Sequence, residues 1–243
     1  MLKKYDTLLV SGCSHTFGAE SIQPGDCDNP ENVTHSWAQQ LGEQLAIPEI
    51  VNLSECGNSN DQMFQDIIHD VLKYKYSLDG HRNVLCIIQF SHWDRTLVRN
   101  PLNVDQSFNL TAQVAAEFRN YYPEYVRAAV PSWVEYITVN ANRYTDWLYK
   151  TIALRSFLRQ HHIDFAFWCA EPIDITLLPD ECLPVISELP MILHHSDSWY
   201  AVMDRLGPRQ PRGHYDKETM ALWLPYMTNF LNGHYDFNTI PPR

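Results

Sequence analysis

A serine flanked by glycines near the start of the chain has the setting that nucleophilic catalysis requires. Ser14 lies in the segment GCSHTFG (residues 12–18), directly after a short apolar run. Glycines tolerate a tight turn and let a substrate approach the backbone closely. A helix beginning there would direct its N–H groups toward developing negative charge. Taken alone, however, the segment fits a helix cap or an anion-binding loop better than a nucleophile.

Alternating apolar runs and helical patterns predict the elements that position this serine. Buried strands are predicted at 6–12, 50–53, 83–90 and 164–169. Amphipathic helices are predicted from residue 36 and at 61–74, 145–160 and 217–231. Strands that alternate with helices imply right-handed βαβ units and a parallel sheet covered on both faces.

Three candidate residues follow predicted strands directly. Ser14, Gly57 and Ser91 each come just after a strand. Ligand sites of parallel α/β sheets form at the carboxyl ends of the strands. The sequence therefore predicts one site that these three residues share.

Three segments together resemble the SGNH/GDSL hydrolase family. The first is GCSHTFG, which is similar to the family's GDSxTxG block, with Cys13 where Asp is usual. The second, VNLSECGNSND at 51–61, resembles the block that supplies an oxyanion-hole glycine, here Gly57. The third, GHYDKETMALW at 213–223, resembles the block with the histidine ahead of the last helix, here His214.

The resemblance implies a three-layer α/β/α flavodoxin-like sandwich with a parallel sheet. It also implies ester hydrolysis through an acyl-enzyme, with Ser14 as nucleophile and His214 as general base. The backbone N–H groups of Ser14 and Gly57 would hold the oxyanion.

The chain departs from the family pattern at two positions. Ser91 stands where a third-block Asn normally completes the oxyanion hole, and its hydroxyl either donates there or caps a turn. Three residues before His214, where the family places the triad Asp, the chain has Pro211. Asp216 is a possible acid, although the N-cap of the last helix is the better interpretation. Without an acid, a backbone carbonyl would orient His214 in a Ser-His dyad.

Four further residues are candidates for substrate binding. His15 neighbours the nucleophile, and its alternative is a solvent-facing position in the first helical turn. Asn60 belongs to the second block. Trp93 and Arg95 follow Ser91 and could bind a polar or anionic group, although an Asp94–Arg95 structural pair is an equal alternative.

Length and composition indicate a single domain. The chain has 243 residues, of which 45% are hydrophobic, and this is enough for one α/β core over residues 1–243. Residues 97–143 and 172–207 break the alternation of strands and helices, so we expect them to be insertions over the catalytic edge.

Charge and cysteine usage exclude several classes of function. The net charge of −11 opposes binding to nucleic acid. No run approaches the roughly 20 apolar residues of a membrane span, and no signal-peptide core is present, so we expect a cytoplasmic protein. The six cysteines are scattered and no zinc-type spacing occurs, so reduced thiols, no metal and no cofactor are expected.

The leading hypothesis is a serine esterase that acts on a small polar ester, such as an O-acetyl group on a sugar or glycan. Acyl transfer to a hydroxyl acceptor would use the same acyl-enzyme. A catalytically impaired binding module is the main alternative, because the third-block Asn and the triad Asp are unmatched. A phosphate-binding protein fits the negative charge poorly and lacks the lysine of GxxxxGK[ST].

Overall fold

A computed structural model describes residues 4–77, 80–92, 95–100, 103–110, 141–171, 191–192 and 198–233, with single positions at 124, 127, 128, 132 and 180. The strands are β1 (Thr7–Ser11), β2 (Glu49–Asn52), β3 (Tyr76–Ser77), β4 (Gly80–His81), β5 (Val84–Phe90), β6 (Thr96–Asn100), β7 (Asn103–Leu110), β8 (Asp164–Cys169) and β9 (Met191–Ile192). The helices are α1 (Ser14–Phe17), α2 (Trp37–Gln44), α3 (Asn60–Lys75), α4 (Ala141–Gln160), α5 (Trp199–Leu206) and α6 (Lys217–Leu231), with a 3₁₀ helix at Pro30–His35.

The central sheet has the strand order β2-β1-β5-β8-β9, and every pairing in it is parallel. In the order of the chain this is the 2-1-3-4-5 arrangement of flavodoxin-like folds. Leu9 in β1 lies opposite Val51 in β2 and Cys86 in β5. The connections change direction between β1 and β5, and ligand sites of such sheets form at this point.

Alternate residues of β1 pack into two separate cores. Leu8 and Val10 face a cluster built with α2, α5 and α6, and Leu9 faces a cluster built with α3 and α4. The period of two follows from strand geometry, because successive side chains point to opposite faces of a sheet. Four tryptophans pack ring against ring in the first cluster: Trp37, Trp168, Trp199 and Trp223. The predicted three-layer α/β/α sandwich with a parallel sheet is therefore confirmed.

The helices owe their positions to buried apolar faces. The longest, α4, has 20 residues and buries Trp147, Leu148 and Leu158 against the second core. Ser36 and Ser59 accept hydrogen bonds from the first turns of α2 and α3 and so fix where these helices begin. None of the helices in the described part of the chain is both long enough and apolar enough to cross a bilayer.

One boundary of the predicted insertions needs correction. Met191–Ile192 pairs with β8 as the fifth strand of the sheet, and α5 buries Val202 in the first core. Both elements lie within 172–207, so the end of this segment belongs to the sandwich and not to an insertion. The proline-rich sequence before them hid a two-residue strand that is too short to show a pattern. Within 97–143, β6 and β7 form an antiparallel pair, and most of the rest of both segments lies outside the described residues.

Truncating Leu8, one of the β1 side chains that face the first core, should destabilise the protein. Leu8 is 0% exposed, and Leu8→Ala should lower the free energy of unfolding by about 2–5 kcal/mol, since both apolar burial and packing are lost. Leu222→Ala is the matched control, because Leu222 on α6 is 54% exposed and its truncation should change stability by about 0.5 kcal/mol or less. Urea unfolding followed by circular dichroism measures both, and equal effects would contradict the assigned core.

Candidate active site

The turn between β1 and α1 is locked by its neighbours. A Cβ atom at Gly12 would lie 2.0 Å from the Thr16 hydroxyl oxygen, so only glycine fits there. That hydroxyl donates a hydrogen bond to the side-chain carbonyl of Gln89 in β5. The side-chain amide of Asn52, at the end of β2, donates to the backbone carbonyl of Thr16 over 2.9 Å. Three adjacent strands therefore hold Ser14, the first residue of α1, at the carboxyl edge of the sheet.

The structure brings Ser14 and His214 together across 200 residues of sequence. The Nε2 atom of His214 lies 2.8 Å from Ser14 Oγ. His214 stands in the connection between α5 and α6, where its carbonyl accepts a hydrogen bond from the backbone N–H of Gln210. With its proton on Nδ1, the imidazole accepts from the Ser14 hydroxyl, as the base of a nucleophilic serine does.

A buried carboxylate contacts the other nitrogen of the histidine. Glu20 Oε2 lies 2.9 Å from His214 Nδ1, and the Glu20 side chain is completely buried. The same carboxylate accepts hydrogen bonds from the backbone N–H groups of Gly25, Arg212 and His214. These donors fix the carboxylate, which in turn favours the tautomer with the proton on Nδ1. Ser14, His214 and Glu20 thus form a continuous chain of hydrogen bonds.

The backbone of Glu20 adopts a conformation that is uncommon outside glycine. Its φ angle is +62°, in the left-handed region, which costs on the order of 1 kcal/mol for such a residue. The backbone N–H of Glu20 donates to the carbonyl of Asp26, and the carboxylate bonds hold the other end of the residue. The surrounding loop therefore enforces the unusual conformation, and this directs the side chain to His214.

The environment keeps the imidazole neutral and the carboxylate ionised. Burial lowers the pKa of His214, and the hydrogen bond and negative charge of Glu20 only partly offset this. Burial acts to raise the pKa of Glu20, but hydrogen bonds from the His214 side chain and from three backbone N–H groups outweigh it and lower the pKa. A neutral imidazole beside a carboxylate is the state that a general base needs near neutral pH.

Asp216, which was a possible acid from the sequence, is the N-cap of α6, as the favoured interpretation had it. Asp216 Oδ1 accepts a hydrogen bond from the Thr219 backbone N–H over 2.8 Å, as the N-cap of α6, and its other oxygen accepts from the Gln210 side chain. Its carboxylate is therefore engaged in starting the helix. Glu20 contacts His214 Nδ1 instead, so neither a carbonyl nor Asp216 takes that position.

The predicted oxyanion residues follow β2 and β5. Gly57 has a φ angle of +79°, and a Cβ atom there would meet no atom within 4 Å, so this loop borders open space. The side-chain amide of Asn58 donates to the carbonyl of Gly12 and ties the loop to the turn before Ser14. Ser91 directly follows β5 and is 7% exposed.

Asn60, a predicted substrate-binding residue, makes hydrogen bonds within the protein. Its side-chain oxygen accepts from the Ser91 backbone N–H over 2.8 Å, and its amide group donates to the carbonyls of Ser91 and His92. The residue is 4% exposed. Asn60 therefore holds the segment after β5 against the start of α3.

His15 is neither a solvent-facing residue nor an open substrate contact. It is buried, its ring lies 4.7 Å from the His214 ring, and its Nε2 atom lies 2.5 Å from the Tyr200 hydroxyl. Burial and the nearby charges of His214, Arg95 and Arg209 hold the pKa of His15 well below its usual range. Arg95 is half-buried and donates to the Asn58 carbonyl, whereas Trp93 lies outside the described residues.

Nothing in the sequence indicated that two further residues, Glu20 and Cys27, lie beside His214. Glu20 lies far from His214 along the chain, and Cys27 has no partner cysteine or histidine at zinc spacing. The fold places the donor atoms of Glu20, Cys27 and His214 within 4.8 Å of one another, close enough to hold a metal ion.

Comparisons with known proteins find similar solved structures and no related sequence. No family model and no curated protein matches the sequence. Similar solved structures include TesA (11% identity, TM-score 0.49, covering 94% of this chain and 99% of that one). They also include the psychrotrophic esterase EstA from Pseudoalteromonas sp., inhibited by monoethylphosphonate (13%, 0.45, 94% and 97%). A third is the acetyl-xylooligosaccharide esterase Axe2 from Geobacillus (9%, 0.45, 98% and 97%).

Titration of His214 should show the opposing effects of burial and of Glu20 on its pKa. Its pKa should lie below the ordinary histidine value of about 6.5 and should fall further in Glu20→Gln, because the carboxylate is the group that raises it. NMR of the imidazole signals as a function of pH measures both values. Asp216→Asn keeps the helix cap and should leave the His214 titration unchanged. A rise of the His214 pKa in Glu20→Gln would contradict the assigned contact.

Proposed function

We propose that this protein is a serine ester hydrolase of the SGNH type, with Ser14 as nucleophile, His214 as general base and Glu20 as the acid of a triad. The observation that carries the proposal is the continuous set of hydrogen bonds from Ser14 Oγ through His214 to Glu20. A helix cap or an anion loop has no need of this arrangement. A binding module that has lost its triad acid is also disfavoured, because a buried carboxylate holds the histidine.

In the proposed reaction Ser14 Oγ attacks the carbonyl carbon of the ester while His214 Nε2 takes the hydroxyl proton. The imidazolium then gives this proton to the leaving alcohol, and an acyl-enzyme forms on Ser14. Water, activated by the same histidine, attacks the acyl group and releases the acid and free Ser14. Glu20 stays ionised throughout and stabilises the imidazolium that forms at each step.

The oxyanion of each tetrahedral intermediate needs hydrogen-bond donors beside Ser14. We assign the backbone N–H groups of Ser14 and Gly57 to this role, and the Ser91 hydroxyl as a third donor. Each donor of this kind typically contributes about 3 kcal/mol to transition-state stabilisation. The ties from Asn58 to Gly12 and from Asn60 to Ser91 support the assignment, because they hold the loops of these donors against the nucleophile turn.

The charges near the site favour a small polar ester over a lipid. Arg95 lies close enough to His15 to lower its pKa, although the chain as a whole has a net charge of −11. Arg209 acts on His15 in the same direction, but its guanidinium is paired with Asp204. Local positive charge suits an ester that carries a polar or anionic group, such as an O-acetylated sugar or glycan. An O-acyltransferase with a hydroxyl acceptor in place of water would use the same residues and remains the alternative.

We assign the protein to the cytoplasm, as an expectation that its thiols support. Among the described residues Cys13, Cys27, Cys56, Cys86 and Cys169 are free. Reduced thiols persist in the reducing cytoplasm, where glutathione and thioredoxin oppose disulfide formation.

A fluorophosphonate probe should label Ser14, whose oxygen displaces fluoride from phosphorus. The protein should also turn over p-nitrophenyl acetate. In Ser14→Ala labelling should vanish and turnover should fall by about 10³-fold or more, because the nucleophile is lost. Ser156→Ala is the control, since Ser156 is exposed on α4 and its hydroxyl donates only within its own helix. Intact-mass spectrometry and absorbance measure the two readouts. Equal, negligible signals from wild type and Ser14→Ala would refute the proposed hydrolase.

Two conservative substitutions should identify the acid. Glu20→Gln should lower kcat by about 10²- to 10⁴-fold, because the imidazolium loses its counter-charge. The acidic limb of kcat/KM should also move to lower pH, since the His214 pKa falls when the carboxylate is removed. Asp216→Asn, which preserves the cap, should leave both parameters near wild type. Initial rates across pH measure the effect, and the reverse ranking of the two variants would restore Asp216 as the acid.

A further inference from the structure

Three side chains of different ligand chemistry converge on the Nδ1 face of His214. Glu20 Oε2 lies 2.9 Å from Nδ1, and Cys27 Sγ lies 3.8 Å from the same nitrogen. All three donor atoms lie within 4.8 Å of one another. The proposed reaction uses the carboxylate and the imidazole and gives the Cys27 thiol no part.

The spacing is close to that of ligands around a tetrahedral zinc ion. A thiolate at about 2.3 Å and an imidazole nitrogen at about 2.0 Å from zinc are separated by about 3.6 Å. The Cys27–His214 separation of 3.8 Å nearly equals this value, so an ion needs little movement of these two groups. The distance between Glu20 Oε2 and His214 Nδ1 would have to increase slightly to admit the ion, since at present it is that of a hydrogen bond.

The donor set selects the kind of ion. Magnesium and calcium prefer oxygen ligands, whereas a thiolate with an imidazole and a carboxylate suits zinc. Cys27 is half-exposed while Glu20 and His214 are buried, so an ion would enter from the Cys27 side. A water molecule there would complete four coordination.

We propose that Glu20, Cys27 and His214 form a zinc site whose occupation switches off the hydrolase, a step that rests on the proposed function. Zinc on Nδ1 would lie on the opposite side of the imidazole from Ser14, which faces Nε2. The ion is therefore inhibitory and polarises no substrate.

The inhibition follows from which nitrogen of the His214 ring carries the proton. The Nδ1 lone pair binds zinc only when the single proton of the neutral imidazole sits on Nε2. Nε2 then donates to Ser14 Oγ and has no lone pair left to accept the hydroxyl proton. Cys27 binds as thiolate, so the net change is one proton released for each zinc bound. Loss of the Glu20 contact removes the counter-charge as well.

Charged side chains around the three ligands act on the ion as well. Arg212 and Arg95 lie near His214 and repel a dication, and the carboxylate and the thiolate oppose this repulsion.

Cobalt(II) is a spectroscopic probe of this site that needs no turnover. Co²⁺ added to the full-length protein should give a thiolate-to-cobalt charge-transfer band that Zn²⁺ displaces. In Cys27→Ser this band should disappear, and the affinity for Zn²⁺ in competition titrations should fall at least about tenfold. Cys56→Ser is the matched control, because Cys56 Sγ donates to the Cys27 carbonyl and a serine hydroxyl can do the same. A band that persists in Cys27→Ser, or is lost only in Cys56→Ser, overturns the site.

The inhibitory role has two further readouts. The ¹⁵N chemical shifts of the His214 ring should change from the Nδ1–H to the Nε2–H tautomer when zinc is added, whether or not a substrate is known. Turnover of p-nitrophenyl acetate should be lost with one equivalent of zinc in wild type and in Cys56→Ser, and should persist in Cys27→Ser. If metal-free wild type shows no turnover, the proposed hydrolase activity is contradicted and the metal site is not. If cobalt binds without the tautomer change, the proposed inhibition is contradicted.

Discussion

The hydrogen bond between His214 Nδ1 and the Glu20 carboxylate joins two parts of the chain that are 194 residues apart. Its geometry determines which nitrogen of the imidazole faces Ser14 with a lone pair. It also stabilises a buried charge, since the ionised Glu20 side chain is completely buried and accepts this hydrogen bond. A buried carboxylate without such partners would be strongly destabilising, so the loop that carries Glu20 must fold around it.

The sandwich brings the two ends of this bond together through one helix pair. Helices α2 and α6 pack on the same face of the sheet, where the Trp37 and Trp223 rings meet edge to face at 5.3 Å. Side chains at their rims add polar ties, from Gln40 to the Lys217 carbonyl and from Gln44 to Thr228. The loops that precede these two helices carry Glu20 and His214 respectively. Packing of large apolar side chains therefore sets the distance between Glu20 and His214, although neither residue belongs to the packed cluster.

Much of this arrangement could be predicted from the sequence, because it depends on periodic patterns. The first four strands of the central sheet along the chain and α6 lie within a residue or so of their predicted bounds, since buried β-runs and a strong N-cap at Asp216 leave little choice. The turn at Ser14 was visible from its glycines. A short strand such as Met191–Ile192 has no such pattern, and its place depends on pairing with β8.

The carboxylate beside His214 was missed for a different reason. Its partner is set by tertiary contact, and nothing near His214 in the sequence indicates Glu20. Asn60 and His15 were assigned to substrate because they lie within the segments that resemble the family, whereas both are buried and form hydrogen bonds with other protein groups. Sequence proximity to a site indicates that a residue takes part in it, but only the packing shows whether it contacts a substrate or another residue.

The residues that the structure requires in the first loop fall at alternate positions. Gly12, Ser14, Thr16, Gly18 and Glu20 occupy every second position of a nine-residue stretch, G-x-S-x-T-x-G-x-E. Each has its own physical requirement: a missing Cβ, a hydroxyl beside His214, a bond to Gln89, a left-handed helix end, and the carboxylate on the histidine. Under the proposed function, the nucleophile and the acid therefore both lie in this nine-residue stretch. The histidine loop then has to supply the imidazole and the backbone N–H groups of Arg212 and His214, and an Asp three residues before the histidine is not needed to hold it.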